Sequence, residues 1–317
     1  MTPTRRGSIR LFRFAGIDLF VHWSWLLVAV FEIRNRADRY TSLTWNVLEY
    51  LTLFGVVMLH EFGHALACRQ VGGQANQIML WPLGGVAYVN PPPRPAATLW
   101  SIAAGPLVNV ALLLLALGAG IAGRAIGGSS LNPNAAGFLH DLAFMNFALL
   151  VFNLLPVYPL DGGQILRALL WFVLGRARSL LVASVIGLVG VVALFGLALI
   201  WGSVWLAILA TFVSLSCWRG LRLARAMSRQ NKLPRHAGFA CPSCKTPPPM
   251  AKLWKCSRCL FVFDTFASRA VCPNCHLACE RTACPACGFS HPLATWEAKA
   301  LREASSVAAA SAGMTAP

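Results

Sequence analysis

Leu59-His60-Glu61-Phe62-Gly63-His64 lies inside an apolar run covering roughly residues 46–69. A helix puts residues four apart on one face, about one turn from each other. His60 and His64 are therefore predicted to offer two imidazoles to one metal ion, with Glu61 beside them as a base toward the water of a bound zinc, the HExxH arrangement. Short patterns recur by chance, and two histidines satisfied by neighbouring helices are the plainer reading. The setting decides between them. Ionisable groups on an apolar spanning helix cost roughly a few kcal/mol by insertion scales and are functional by default.

The rest of the composition agrees with a membrane protein. The 317 residues are 57% hydrophobic and only 12% charged, and the mean hydropathy is +0.61; soluble domains carry about 25% charged residues. Apolar runs of spanning length occur at roughly 17–33, 46–69, 97–122, 137–156, 179–200 and 203–218, which predicts about six transmembrane helices. The net charge of +16 is mostly arginine. Arg5, Arg6, Arg10 and Arg13 precede the first run, and Arg219, Arg222, Arg225, Arg229, Lys232 and Arg235 follow the last. The positive-inside rule explains this placement better than a nucleic-acid partner does, and an even number of crossings then puts both termini in the cytoplasm, with a bacterial plasma membrane expected. Arg34, Arg36 and Arg39 are the exception, standing in the first external loop. The first run lacks a small-residue cleavage site and reads as a retained span, not a signal peptide.

A zinc held by two histidines needs a third protein ligand and an open position. Asp161 is the only acid in Asn153-Leu154-Leu155-Pro156-Val157-Tyr158-Pro159-Leu160-Asp161-Gly162-Gly163. Prolines and glycines break the helix here, and irregular backbone at membrane depth is tolerated only beside protein or a water-filled cavity. The competing reading is an aspartate that merely caps the next helix. Topology favours the ligand: the second and fourth spans both run inward, so His60, about 21 Å along its span, and Asp161 arrive at the same face. Between the second and third spans, residues 78–90 (IMLWPLGGVAYVN) carry two β-prone runs about Gly84-Gly85 and predict a small membrane-associated hairpin. Prolines at 91–93 and 95 end it.

The HEFGH span, Gly105-Pro106-Leu107-Val108-Asn109 and NLLPVYPLDGG resemble the site-2 protease family of intramembrane metalloproteases. The resemblance covers residues 17 to about 220, without a PDZ-like insertion. It implies zinc ligation by His60, His64 and Asp161, with Glu61 as catalytic base. It further implies a role for Asn153 in orienting substrate or stabilising the oxyanion. The expected activity is hydrolysis of peptide bonds within or near the transmembrane segments of partner proteins, in regulated proteolysis. The expected division is a basic cytoplasmic N-terminus (1–16), an intramembrane metalloprotease domain (17–218) and a basic linker (219–240), then a double zinc ribbon (241–288) and a mostly disordered tail (289–317). A helical substrate hides its carbonyls, so the hairpin is a candidate strand against which it is held extended.

Nine of the eleven cysteines follow residue 240, eight of them as Cys241/Cys244, Cys256/Cys259, Cys272/Cys275 and Cys284/Cys287. On a reducing cytoplasmic side these read as zinc knuckles, two per Cys₄ site. Their spacing suits successive ribbons, first pair with second and third with fourth, although a cross-braced arrangement fits too. One catalytic and two structural Zn2+ ions are expected per chain. Cys279 is a spare thiol, and Cys68 and Cys217 read as packing residues. The ribbons carry Lys245, Lys252, Lys255, Arg258, Arg269 and Arg281 with Leu253, Trp254, Phe261 and Phe263. A protein partner or substrate gating ranks above a purely structural role, and nucleic acid ranks last. His22 reads as an interfacial packing residue, and His140 with Asp141 as a cap on the fourth span. Two other classes compete for the whole chain: an inactive membrane-anchored adaptor, against which the intact HExxH and Asp161 argue, and a transporter, for which no repeats appear.

Overall fold

A computed structural model describes residues 7–36, 38–81, 84–127 and 132–297. Arg5, Arg6 and the tail beyond 297 lie outside the described residues. The chain divides into two compact units, 1–224 and 225–317.

In the first unit, β1 (Ser8–Phe14) and β2 (Ile17–His22) precede α1 (Trp25–Asn35) and the long α2 (Leu43–Gln70). Then come β3 (Gln74–Trp81), β4 (Gly84–Asn90), α3 (Pro95–Gly127), α4 (Pro133–Leu154), α5 (Asp161–Ile200) and α6 (Val204–Asn231). Among the described residues five helices, α2 to α6, are long and apolar enough to cross a membrane. The expected helix at 17–33 is replaced by strand β2 and the 11-residue α1, which at 1.5 Å per residue is only about 16 Å long. Ile17, Leu19 and Phe20 are apolar enough to blend into the α1 run, but they form sheet core: Ile17 and Leu19 are fully buried with Ile78 and Leu80.

The predicted hairpin is likewise half of a larger element. β1 to β4 form one four-stranded sheet in sequence order. β2 pairs with β3 in parallel, from Asp18 opposite Gln77 to Val21 opposite Leu80, and the other pairings are antiparallel. Arg10 and Arg13 of β1 both reach Asp18, at 2.6 and 3.8 Å. Phe62, Ala65 and Cys68 of α2 pack on the buried side chains of β2 and β3. The helix carrying the histidines is thus seated directly on the sheet.

Arg36 and Arg39, awkward in sequence, find carboxylates. Arg36 contacts both Glu49 and Asp141, and Arg39 donates from Nε and Nη2 to the two oxygens of Asp141 at 2.8 Å each. Glu49 and Asp141 are buried. Asp141 is therefore no helix cap; Asn132 caps α4 by accepting from the Asn134 N–H. The network ties the end of α1 to the first halves of α2 and α4, and it closes the charge account of two buried acids that would otherwise be unpaired.

Residues 161–200 run as one helix in projection, broken at Gly175, whose φ of +77° is open to glycine. The part before this break opens with Asp161. α6 continues to Asn231, so most of the expected linker begins as helix.

In the second unit, β5 (Trp254–Lys255) pairs with β6 (Val262–Phe263) and β7 (Thr282–Ala283) with β8 (Ser290–His291). Phe266 is the hub of its aromatic core, with Phe239, Trp254 and Trp296 at centroid distances of 5.2, 5.2 and 4.9 Å. Trp296 is fully buried, so the folded module extends past the expected boundary at 288 to at least residue 296.

Candidate metal centre

α2 delivers His60, Glu61 and His64, all buried, with 4–6% of their surface exposed. The break after α4 returns the chain so that Asp161 opens α5. Its carboxylate does not cap that helix: Leu160 is the N-cap and makes no side-chain cap bond. Instead Asp161 Oδ2 lies 3.1 Å from His60 Nε2 and 3.2 Å from His64 Nε2, and the two Nε2 atoms are 3.1 Å apart. The structure brings these three residues together across about a hundred positions of sequence.

The proton positions follow from the far sides of the rings. His64 Nδ1 is 2.9 Å from the carbonyl of Ser101, which only accepts, so Nδ1 carries the hydrogen and Nε2 its lone pair. His60 Nδ1 faces Asn109 Oδ1 at 2.8 Å, with the same result. With both imidazoles neutral, as metal ligation requires, three acceptor atoms converge, an arrangement that a cation resolves. Donors at about 2.0–2.1 Å from a tetrahedral zinc stand roughly 3.3 Å from one another, and the observed triangle fits. Second partners on the imidazoles are a recurrent feature of metal sites.

α3 makes the close approach possible. A Cβ on Gly105 would lie 2.3 Å from His64 Nε2 and 2.9 Å from His60 Cε1. Asn146 of α4 holds the backbone at the same turn, its Nδ2 donating to the carbonyl of Asn109 at 2.8 Å. On the other side β4 closes on Glu61: the Ala87 N–H donates to Glu61 Oε2 at 2.8 Å, and a Cβ on Gly85 would lie 2.2 Å from Glu61 Cγ. Sequence reading assigned no role to Asn109, Asn146, Ser101, Gly105 or Ala87. The available signal was Asn109 and Asn146, polar amides deep in largely apolar spans. Asn153 sits half-buried in the last turn of α4. His22 stacks on Trp81, 4.4 Å between centroids, at the end of the sheet.

The eight paired cysteines form two further clusters, in a different pairing from the one expected. Cys241 and Cys244 join Cys284 and Cys287, with Sγ separations of 3.6 Å (Cys241–Cys287) and 3.7 Å (Cys244–Cys284). Cys256 and Cys259 join Cys272 and Cys275, both cross-pairs at 3.6 Å. The ribbons are nested, one inserted within the other, neither successive nor cross-braced. Sulfurs at about 2.3 Å from a tetrahedral ion lie roughly 3.8 Å apart, and none of the cysteines is in a disulfide. All four knuckles share one backbone device. The residue after the second cysteine (Lys245, Leu260, His276, Gly288) has φ between +56° and +75° and donates its N–H to the carbonyl of the first cysteine. The Asn274 side chain and the Phe261 N–H draw the Cys259 thiol down to about 6, toward the thiolate a metal requires. Cys279 packs against the inner cluster.

Comparison with known proteins places the chain in a family. The model of peptidase family M50 matches residues 49–124 and 120–197. A zinc metalloprotease of Methanocaldococcus jannaschii is 36% identical over 192 residues, 60% of this chain and 54% of that protein. Rip3 of Mycobacterium tuberculosis is 30% identical over 259 residues, covering 71% and 64%. The solved structure of a site-2 protease from M. jannaschii aligns with a TM-score of 0.51 at 31% identity, covering 68% of this chain and 95% of that one. The chain belongs to peptidase family M50, the site-2 proteases, and is a membrane protein. It spans between about half and two thirds of the length of these two relatives.

Two predictions follow from this packing. Gly105→Ala should displace the imidazoles and lower the metal content of the His/Asp site at least about ten-fold, as loss of a supporting contact does. Elemental analysis of the purified variant checks this, and metal content at the wild-type level would show that α3 is not seated as described. In the ribbons, Cys244→Ser with Cys284→Ser should remove one zinc per chain, and Cys244→Ser with Cys259→Ser should remove two. Successive ribbons would give the reverse.

Proposed function

We propose that this chain is a zinc-dependent intramembrane endopeptidase that hydrolyses peptide bonds within or near transmembrane segments of membrane proteins. The observation that carries the reading is the convergence of His60 Nε2, His64 Nε2 and Asp161 Oδ2 within 3.2 Å of one another, with Glu61 adjacent. These three residues would hold the catalytic zinc, and the two Cys₄ clusters would hold structural ions, three in all. When bound, the catalytic zinc supplies Lewis acidity, polarising the scissile carbonyl and making water acidic near neutral pH.

The chain's own residues do the rest. Asn109 and the Ser101 carbonyl keep both Nε2 lone pairs pointed at the site by holding the Nδ1 hydrogens. Glu61 Oε2 is fixed by the Ala87 N–H, which leaves Oε1 to take a proton from the attacking water and pass it to the leaving amine. Asn153 is the proposed donor to the oxyanion or to the substrate backbone. β4 is an edge of the sheet and borders Glu61 through Ala87 and Gly85, so an extended substrate pairing along this strand would pass beside the base.

For topology, we propose that β2 and α1 together make the first crossing. Six strand residues at ~3.3 Å and eleven helical residues at ~1.5 Å reach about 36 Å, enough for a ~30 Å core. The end of α1 meets the starts of α2 and α4 through Arg36 and Arg39, which supports this path. Six crossings keep both termini on the cytoplasmic side of a plasma membrane.

The decisive experiment compares wild type with Glu61→Gln in detergent, using generic transmembrane peptides. The expected result is a loss of cleavage of about 10²-fold or more with the zinc count unchanged. Equal cleavage by both proteins would remove Glu61 from the mechanism. No cleavage by wild type, despite full metal content, would favour an inactive adaptor.

A further inference from the structure

The β5–β6 hairpin of the inner ribbon has an inner and an outer face. Trp254 and Phe263 are opposite one another and turn into the core. Lys255 and Val262 are the other opposed pair, and both are exposed, Val262 by 45%. Directly opposed residues share a face, so the hairpin presents a cation beside an apolar side chain. Its tip continues the pattern. Arg258 is exposed, and Leu260 and Phe261 are exposed by 59% and 41%. Leu260 is held outward by the knuckle, whose left-handed turn places it at φ +62°.

Three consecutive exposed apolar residues on this knuckle turn are costly in water. The surrounding charge indicates what covers them. Residues 235–297 carry seven lysines and arginines against three acids, and of those acids Asp264 is already bonded to His236 at 2.8 Å. The module follows α6, whose last turn is basic through Arg229, after a short segment beyond Asn231. The module is thus tethered to a membrane-spanning helix by a short segment of chain, and its radius of gyration is only roughly 11 Å. Basic groups flanking apolar side chains form the pattern that inserts at the headgroup boundary of anionic lipid.

We propose that the inner ribbon docks on the membrane surface, with Leu260, Phe261 and Val262 entering the interfacial layer and Lys255 and Arg258 contacting anionic headgroups. The test uses the full-length protein with p-benzoylphenylalanine at position 261, irradiated in native membranes and in proteoliposomes. Lipid-mass adducts are expected in both. In liposomes their yield should rise about five-fold when phosphatidylglycerol replaces roughly a third of the phosphatidylcholine. The same probe at Ala294, exposed on the outer ribbon, should give no such rise. Lys255→Glu with Arg258→Glu should abolish the rise while leaving thiol accessibility unchanged; if accessibility changes, Lys255→Gln with Arg258→Gln replaces that pair. Protein adducts from native membranes, absence of lipid adducts, or labelling indifferent to headgroup charge would overturn the proposal.

Discussion

Two imidazole nitrogens and a carboxylate oxygen lie within 3.2 Å of one another in a buried, largely apolar setting, and with both rings neutral no hydrogen sits between them. Such a triangle is repulsive unless a cation occupies it, because each atom presents a lone pair in a medium of low dielectric. Much of the surrounding fold serves to hold that arrangement. α3 comes close enough to brace both rings only because residue 105 has no side chain, and Asn146 fastens α3 to α4 at the same level. The loop after α4 then turns back sharply enough to place Asp161 against α2.

Polar groups in the membrane unit gather at two levels of α2. Glu49 lies near its start and His60 eleven residues later, about 16 Å along the axis. The upper group is an ion-pair network with arginines from the α1 end, and the lower one is the candidate metal centre. Between them, from Leu53 to Leu59, the helix is apolar. This separation lets one long helix be held at two levels by strong directional interactions, with mainly apolar packing between them. The sheet performs the same service for Glu61, the proposed base: β4 donates one N–H to its Oε2 and so fixes which of its oxygens remains available.

The residues that cluster in the candidate metal sites were legible because each carries a signal that does not depend on tertiary structure. HEFGH has helical spacing, and Asp161 is the single acid in a breaker-rich stretch. The eight cysteines announce knuckles by their spacing. What was hidden depended on contacts far apart in sequence. Residues 17–22 and 25–35 read as one apolar run because short buried strands and helices share the same hydropathy. Arg36 and Arg39 looked misplaced until Glu49 and Asp141 appeared beside them. Four CxxC pairs are interchangeable in sequence, so nothing in their spacing could reveal that the first closes on the fourth. Trp296 lies beyond the last cysteine, and a lone aromatic gives no notice that it completes a core.

Family membership, the paired histidines and the returning aspartate all converge on one claim, that a single zinc ion is held jointly by α2 and the start of α5. X-ray diffraction at the zinc edge from crystals of the full-length protein tests it most directly. The account predicts an anomalous peak within about 2.0–2.2 Å of His60 Nε2, His64 Nε2 and an Asp161 carboxylate oxygen, distinct from the peaks in the ribbons. A zinc-replete crystal with peaks only at the cysteines, or with Asp161 turned away from the imidazoles, would contradict it.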